Sequence, residues 1–187
     1  YEKRGHEESA EQTLADAIAD FPDSSLPYAH LGQLHVLRGN TEEAMKYYRK
    51  ALEIDPKNVE GLNNLAAFMA DSGQDIHEAL ELAVRARKIA PDHPLVLDTL
   101  GWIHCKLGNH EKAVSMIGYA ARQLPNDAEI RYHLAVALKE NGDSGPAARH
   151  LEQVLTLAKD LTLAERARAA LTELQSRQPQ DGIRKGD

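Results

Sequence analysis

Five glycines, five alanines and four prolines of this chain recur at one interval. Gly5, Gly39, Gly73, Gly108 and Gly142 are spaced 34, 34, 35 and 34 residues apart. Ala10, Ala44, Ala79, Ala113 and Ala147 follow at 34, 35, 34 and 34, and Pro22, Pro56, Pro91 and Pro125 at 34, 35 and 34. Three residue types with unlike backbone habits share one period, so the chain is built of similar supersecondary units stacked in a row. The single extra residue falls between Gly73 and Ala79, in GQDIHEA.

Each unit reads as two helices. In the first complete unit Tyr28, Leu31, Gly32 and His35 fall at helical spacing, and so do Ala44, Tyr48, Ala51 and Leu52. Between them RGNTEEA supplies a glycine stop, then Asn40 or Thr41 as helix cap, then acids in the first turn. DPKN ends the second helix, because proline lacks an amide hydrogen and turns the residue before it away from helix. Small residues at Gly32 and Ala44 let two antiparallel helices approach closely.

Composition narrows the function. Hydrophobic residues are 42% and charged residues 27% of the 187, a balance that folds. Twenty-two basic against 29 acidic residues give a charge of −7, which disfavours a phosphate-backbone partner such as nucleic acid. One cysteine, Cys105, can neither close an internal disulfide nor build a multi-cysteine zinc site. No run of about 18 apolar residues is present, so no membrane insertion is expected of this stretch. The chain does not start with Met, and its register places Gly5 on a turn glycine, with Tyr1 late in a first helix and residues 6–22 as the complete second helix. Half a unit cannot bury its own apolar face, so a longer protein with further repeats upstream is expected. At the other end TLAERARAALTELQS aligns Leu163, Ala167, Leu171 and Leu174 on one stripe, as a solvating cap would, and RQPQDGIRKGD has no apolar periodicity and reads as disordered.

The 34-residue helix–turn–helix with Tyr28, Leu31, Gly32, Ala44, Tyr48, Ala51 and Pro56 resembles the tetratricopeptide repeat. Leu62, Leu65, Ala66, Ala79, Ala83, Ala86 and Pro91 repeat the pattern, then Leu97, Leu100, Gly101, Ala113, Ile117, Ala120 and Pro125. The fourth unit keeps Leu134, Ala135, Ala147, Leu151 and Val154 but has Arg131 and Lys159 at the large apolar and proline positions. The resemblance implies an all-α, right-handed superhelical solenoid of antiparallel helix pairs with a C-terminal capping helix. Its parts are a second half-unit at 1–24, units at 25–58, 59–93 and 94–127, a degenerate unit at 128–161, the cap at 162–178 and a tail at 179–187. The strings LNNLAAFMADSGQDIHEALELA, PLVLDTLGW and AERARAALTEL are also similar to bacterial tetratricopeptide proteins of exopolysaccharide export, including the exosortase (PEP-CTERM) kind.

Catalytic signatures are missing. GDSGPAAR has glycines without the GK[ST] of a phosphate loop, and there is no HExxH and no GxSxG. The carboxylates lie on polar helix faces. No two of the nine histidines have the i, i+4 spacing of a helical zinc site, so no metal, no cofactor and no enzymatic activity are expected.

The resemblance points instead to a binding face. In such arrays the first helix of each unit lines the concave side, and a peptide or helix of a partner protein is the implied ligand. The clamp that related chaperone partners use for acidic C-termini is not reproduced: the matching positions hold Ala29, Gln33, Asn64, Leu95 and Thr99, of which Asn64 alone fits. The candidate partner-binding residues are Gln33, Asn63, Asn64, Asp98, Trp102, Tyr132 and Val136. They combine aromatic anchors with amides that donate and accept at once. Packing of Trp102 between neighbouring units is the competing reading. A non-enzymatic interaction scaffold is therefore expected, with a self-associating homo-oligomer or a regulatory appendage of an upstream enzyme as alternatives. The compartment, cytoplasmic or periplasmic and envelope-associated, is left open.

Overall fold

The computed structural model describes residues 2–177, with Tyr1 and the expected tail at 179–187 outside them. The all-α expectation holds: every regular element among the described residues is a helix. In chain order they are α1 (Glu2–Asp20), α2 (Leu26–Leu37), α3 (Thr41–Ile54), α4 (Val59–Ser72), α5 (Ile76–Ile89), α6 (Pro94–Lys106), α7 (His110–Gln123), α8 (Ala128–Glu140), α9 (Ser144–Leu157) and α10 (Leu161–Arg177). Among the described residues they form two compact units, one up to Ile103 and one from His104. In the first, α2 pairs with α3 and α4 with α5, while α1 lies on α2 and α4 on both α2 and α3. In the second, α8 packs on α7 and α9, and α10 lies on α9 and α8.

The periodic residues explain the turns. Gly39, Gly73, Gly108 and Gly142 all have positive φ, between 72° and 91°, the left-handed conformation that costs glycine alone no Cβ clash. At each, amides of the turn close back on the end of the first helix, as in Gly39 N–H to the Val36 carbonyl and Asn40 N–H to that of His35. Asp55, Ala90 and Leu124, which precede Pro56, Pro91 and Pro125, have φ of −131°, −129° and −122° and end their helices. The fourth pair ends at Ala158 without a proline.

Gly5 behaves differently from its periodic partners. Helix α1 runs from Glu2 straight through residue 5, so no turn occurs where the register expects one. Leu14, Ala17 and Ile18 of α1 are half-buried, and an Arg38–Glu11 ion pair ties α1 to the end of α2.

The core is made of second-helix alanines and first-helix aliphatics. Ala44, Ala51, Ala79, Ala83, Ala86, Ala113, Ala120 and Ala147 are fully buried, where a larger side chain would push a pair apart. Gly32 shows how close the approach is: a Cβ there would lie 2.6 Å from the Tyr48 ring. Arg131, the polar departure in the fourth pair, donates from Nε to the Pro125 carbonyl at 2.7 Å and from Nη1 to Gln153 of α9. Its hydrogen bonds take the place of an apolar contact.

Candidate functional site

In the first unit the first helices α2, α4 and the start of α6 carry the expected face. Asn58 fixes the start of α4: its Oδ1 accepts from the Gly61 amide at 2.7 Å and its Nδ2 donates to Ser25 Oγ, at the start of α2, also at 2.7 Å. This holds α2 and α4 in register one unit apart. Gln33 is exposed on α2, and its Oε1 accepts from the Tyr48 hydroxyl at 3.1 Å. That bond spans the helix pair and fixes one end of the Gln33 amide. Tyr48 is buried, which pushes its hydroxyl pKa well above the ordinary phenol value, with the nearby Glu60 charge acting the same way.

Two clefts flank Gln33 and Asn64, which line both. One, of about 420 Å³, is walled by Val36, Tyr48, Ala67, Phe68 and Asp71. The other, of about 560 Å³, is walled by Val59, Glu60, Asn63, His93, Leu95 and Val96. The structure thus brings Gln33, Asn63 and Asn64 together. Asn64 is half-buried, whereas Asn63 is 8% exposed and its Oδ1 meets no hydrogen-bond donor. Glu60 stands at the rim with His30 Nε2 3.1 Å from its carboxylate.

Asp98 and Trp102 lie deeper on α6, 7% and 8% exposed. The Trp102 indole N–H donates to Asp71 Oδ1 at 2.8 Å, so the ring is held against the end of α4 with its one polar atom satisfied. Of the two readings open in the sequence for Trp102, packed or presented on the face, this geometry is the packed one.

Tyr132 and Val136, both half-buried, belong to the second unit. The Arg166 guanidinium of α10 sits 4.4 Å above the Tyr132 ring and pairs with Glu129 at 3.2 Å. Burial lowers the Arg166 pKa, but Tyr132 and Glu129 more than offset it, so the guanidinium stays charged. His133 Nε2 is 3.7 Å from Glu129. Lys139 reaches Glu173 at 2.8 Å and Glu140 at 3.2 Å. Burial opposes its charge, and the two carboxylates outweigh that and raise its pKa. Cys105 is buried, and burial pushes its thiol pKa up, away from the reactive thiolate. Among the described residues no group of three His, Cys, Asp or Glu side chains could hold a metal ion, and no helix is long and apolar enough to cross a membrane.

The tetratricopeptide repeat family model matches residues 7–160. The chain belongs to the tetratricopeptide repeat family. A TPR repeat-containing protein of Pseudomonas aeruginosa is 31% identical over 129 residues, which is 68% of this chain and 22% of that protein. The chain therefore spans about a fifth of the length of that curated relative. Among solved structures, a thermophilic TPR protein of Thermus thermophilus superposes with a TM-score of 0.71 at 21% identity, covering 91% of this chain and 93% of its own. YrrB, described as a TPR protein with an unusual peptide-binding site, gives a TM-score of 0.59 at 20% identity, covering 90% and 86%. At these identities the structures establish a shared TPR fold.

The sequence reading missed the walls that the second helices and corners contribute. Tyr48, Ala90 and His93 enter the clefts from the partner helix and from the corner after α5. Their signal was available in part: Tyr48 lies 16 residues after Gly32, at the point of closest approach that the small residue announces.

Proposed function

We propose that this TPR array is a non-enzymatic scaffold that binds a peptide or helix of a partner protein along its first helices. Its units are taken as 25–58, 59–93, 94–127 and 128–161, with a half-unit at 1–24 and a cap at 162–178. The carrying observation is the meeting of Gln33, Asn63 and Asn64 around two open clefts with apolar walls. Amides set beside apolar recesses suit an extended peptide, whose backbone needs donors and acceptors and whose side chains need pockets. In this reading Gln33 and Asn64 of the first unit contact the partner directly over a floor of Asn63, Asp98 and Trp102, and Tyr132 and Val136 are candidate contacts on the second unit. The strings similar to those of exopolysaccharide-export proteins favour a partner in a bacterial envelope system.

The test is a pull-down from the source cell, comparing the native chain with the Trp102→Ala, Tyr132→Ala double variant after both are shown to be equally helical and of equal mass. Loss of one specific partner supports the reading. Retention of every partner moves the interface elsewhere. Self-association is the second reading, favoured by Phe21 and Leu37, large apolar side chains 67% and 71% exposed. A concentration-dependent mass that ignores the double variant would select it.

A further inference from the structure

The 560 Å³ cleft has a chemistry more specific than that of a general peptide face. Its walls are mostly apolar: Val59, Ala90, Leu95 and Val96. Leu95 is nevertheless 43% exposed, so part of the wall faces solvent. Asn63 lines the same cleft, is more than nine-tenths buried, and leaves its Oδ1 without a hydrogen-bond donor among the described residues. A buried acceptor with no partner costs free energy, and a donor brought by a ligand would recover it. Oδ1 itself is shut off from solvent, so ligand entry must turn the Asn63 amide about its terminal torsion.

Charge is the second, independent observation. The cleft is lined by the carboxylate of Glu60 and by no Lys or Arg, although α6 itself ends at Lys106. Glu60 stands at the rim with its side chain 40% exposed and His30 Nε2 3.1 Å away. A rim whose lining charge is a carboxylate favours a cationic ligand.

Resting on the partner-face reading above, we propose that this cleft takes an aliphatic side chain of an extended, basic peptide, with a peptide N–H donated to Asn63 Oδ1 and a flanking cation beside Glu60. An aliphatic residue fills the apolar recess, the backbone supplies the missing donor, and lysine or arginine complements the acidic rim. An acidic C-terminal peptide has the wrong charge for it.

Fluorescence anisotropy on the whole chain tests this with three capped, labelled decapeptides: a central leucine between lysines, the same with glutamates for lysines, and the same with alanine for leucine. The lysine–leucine peptide is expected to bind at least about tenfold tighter than either of the others. Asn63→Leu is expected to weaken it about tenfold while leaving Tm unchanged or raised, because an unpaired buried acceptor has been removed. Glu60→Gln is expected to weaken it about threefold. Ala90→Leu, at the corner after α5, fills the recess and is expected to abolish binding whether or not Asn63→Leu folds.

Equal binding of the lysine and glutamate peptides, or full affinity in Ala90→Leu, overturns the proposal. So does a mass that rises with concentration and reverts in Asn63→Leu, which would name a second copy of the chain as the occupant. A cellular partner lost by the Trp102→Ala, Tyr132→Ala variant but kept by Asn63→Leu and Ala90→Leu overturns this cleft and leaves the partner face standing. A partner kept by all three overturns the face itself.

Discussion

Gly32 and Tyr48 set the spacing of the first helix pair. The Tyr48 ring occupies the volume that a Cβ on Gly32 would need, and its hydroxyl is tied to Gln33. Gly32→Ala is expected to lose about 1–3 kcal/mol in urea unfolding, since a ring 1% exposed has no free space to move into. Tyr48→Phe keeps the ring and frees the Gln33 amide, so a loss of only about 1 kcal/mol is expected. His150 gives a pH effect. Burial, then the charges of Arg131 and Arg149, lower its pKa below the ordinary 6.5. The unfolded chain therefore takes up a proton at that site near pH 6.5, before the folded chain does. Stability falls as the pH drops below 6.5 toward the folded value, and is fully present above it. Thermal unfolding at about pH 7.5 and about pH 5 should show a smaller loss of Tm in His150→Gln than in the native chain.

Helix ends differ in ways that repeat arithmetic does not show. The extra residue of the second unit lies between Gly73 and α5, which starts three residues after its glycine where α3, α7 and α9 start two after theirs. The added length makes Asp75 the cap of α5, with its carboxylate accepting from the His77 and Glu78 amides at 2.9 and 3.2 Å. Asn40, Asn109 and Asp143 make no such bond. Asp75→Ala is therefore expected to cost about 1 kcal/mol and Asn40→Ala much less, read by denaturant unfolding of the two variants side by side. At the far end α10 covers α9 and α8 with Leu163, Ala167 and Leu174, all buried, and is pinned by Lys139–Glu173 and Arg166–Glu129. A chain stopped at residue 160 is expected to lose about 3–6 kcal/mol from the two leucines alone and to gain dye binding at the bared face.

At the scale of the whole molecule, stability in a repeat array is a sum of local terms and neighbour terms. Gly32→Ala is thus expected to raise amide hydrogen exchange in α2 and α3 far more than in α8 and α9. Equal loss of protection throughout would mean that the two units unfold as one. The periodic residues alone determined that the chain is all-α, where its paired helices turn back and that it carries the TPR pattern. The reason is local: a left-handed glycine, a residue forced out of helix by the next proline, and an alanine at a close approach act within a few residues of themselves. Tertiary structure decided the rest. The sequence placed Trp102 and Asp98 among face residues, yet both are buried, and the Trp102 indole is held by Asp71, 31 positions before it. It placed Asn63 there too, yet only packing could leave its Oδ1 without a donor beside an open cleft. Spacing in a sequence fixes which way a side chain leaves its helix, and what it meets there is settled by neighbours a whole repeat away.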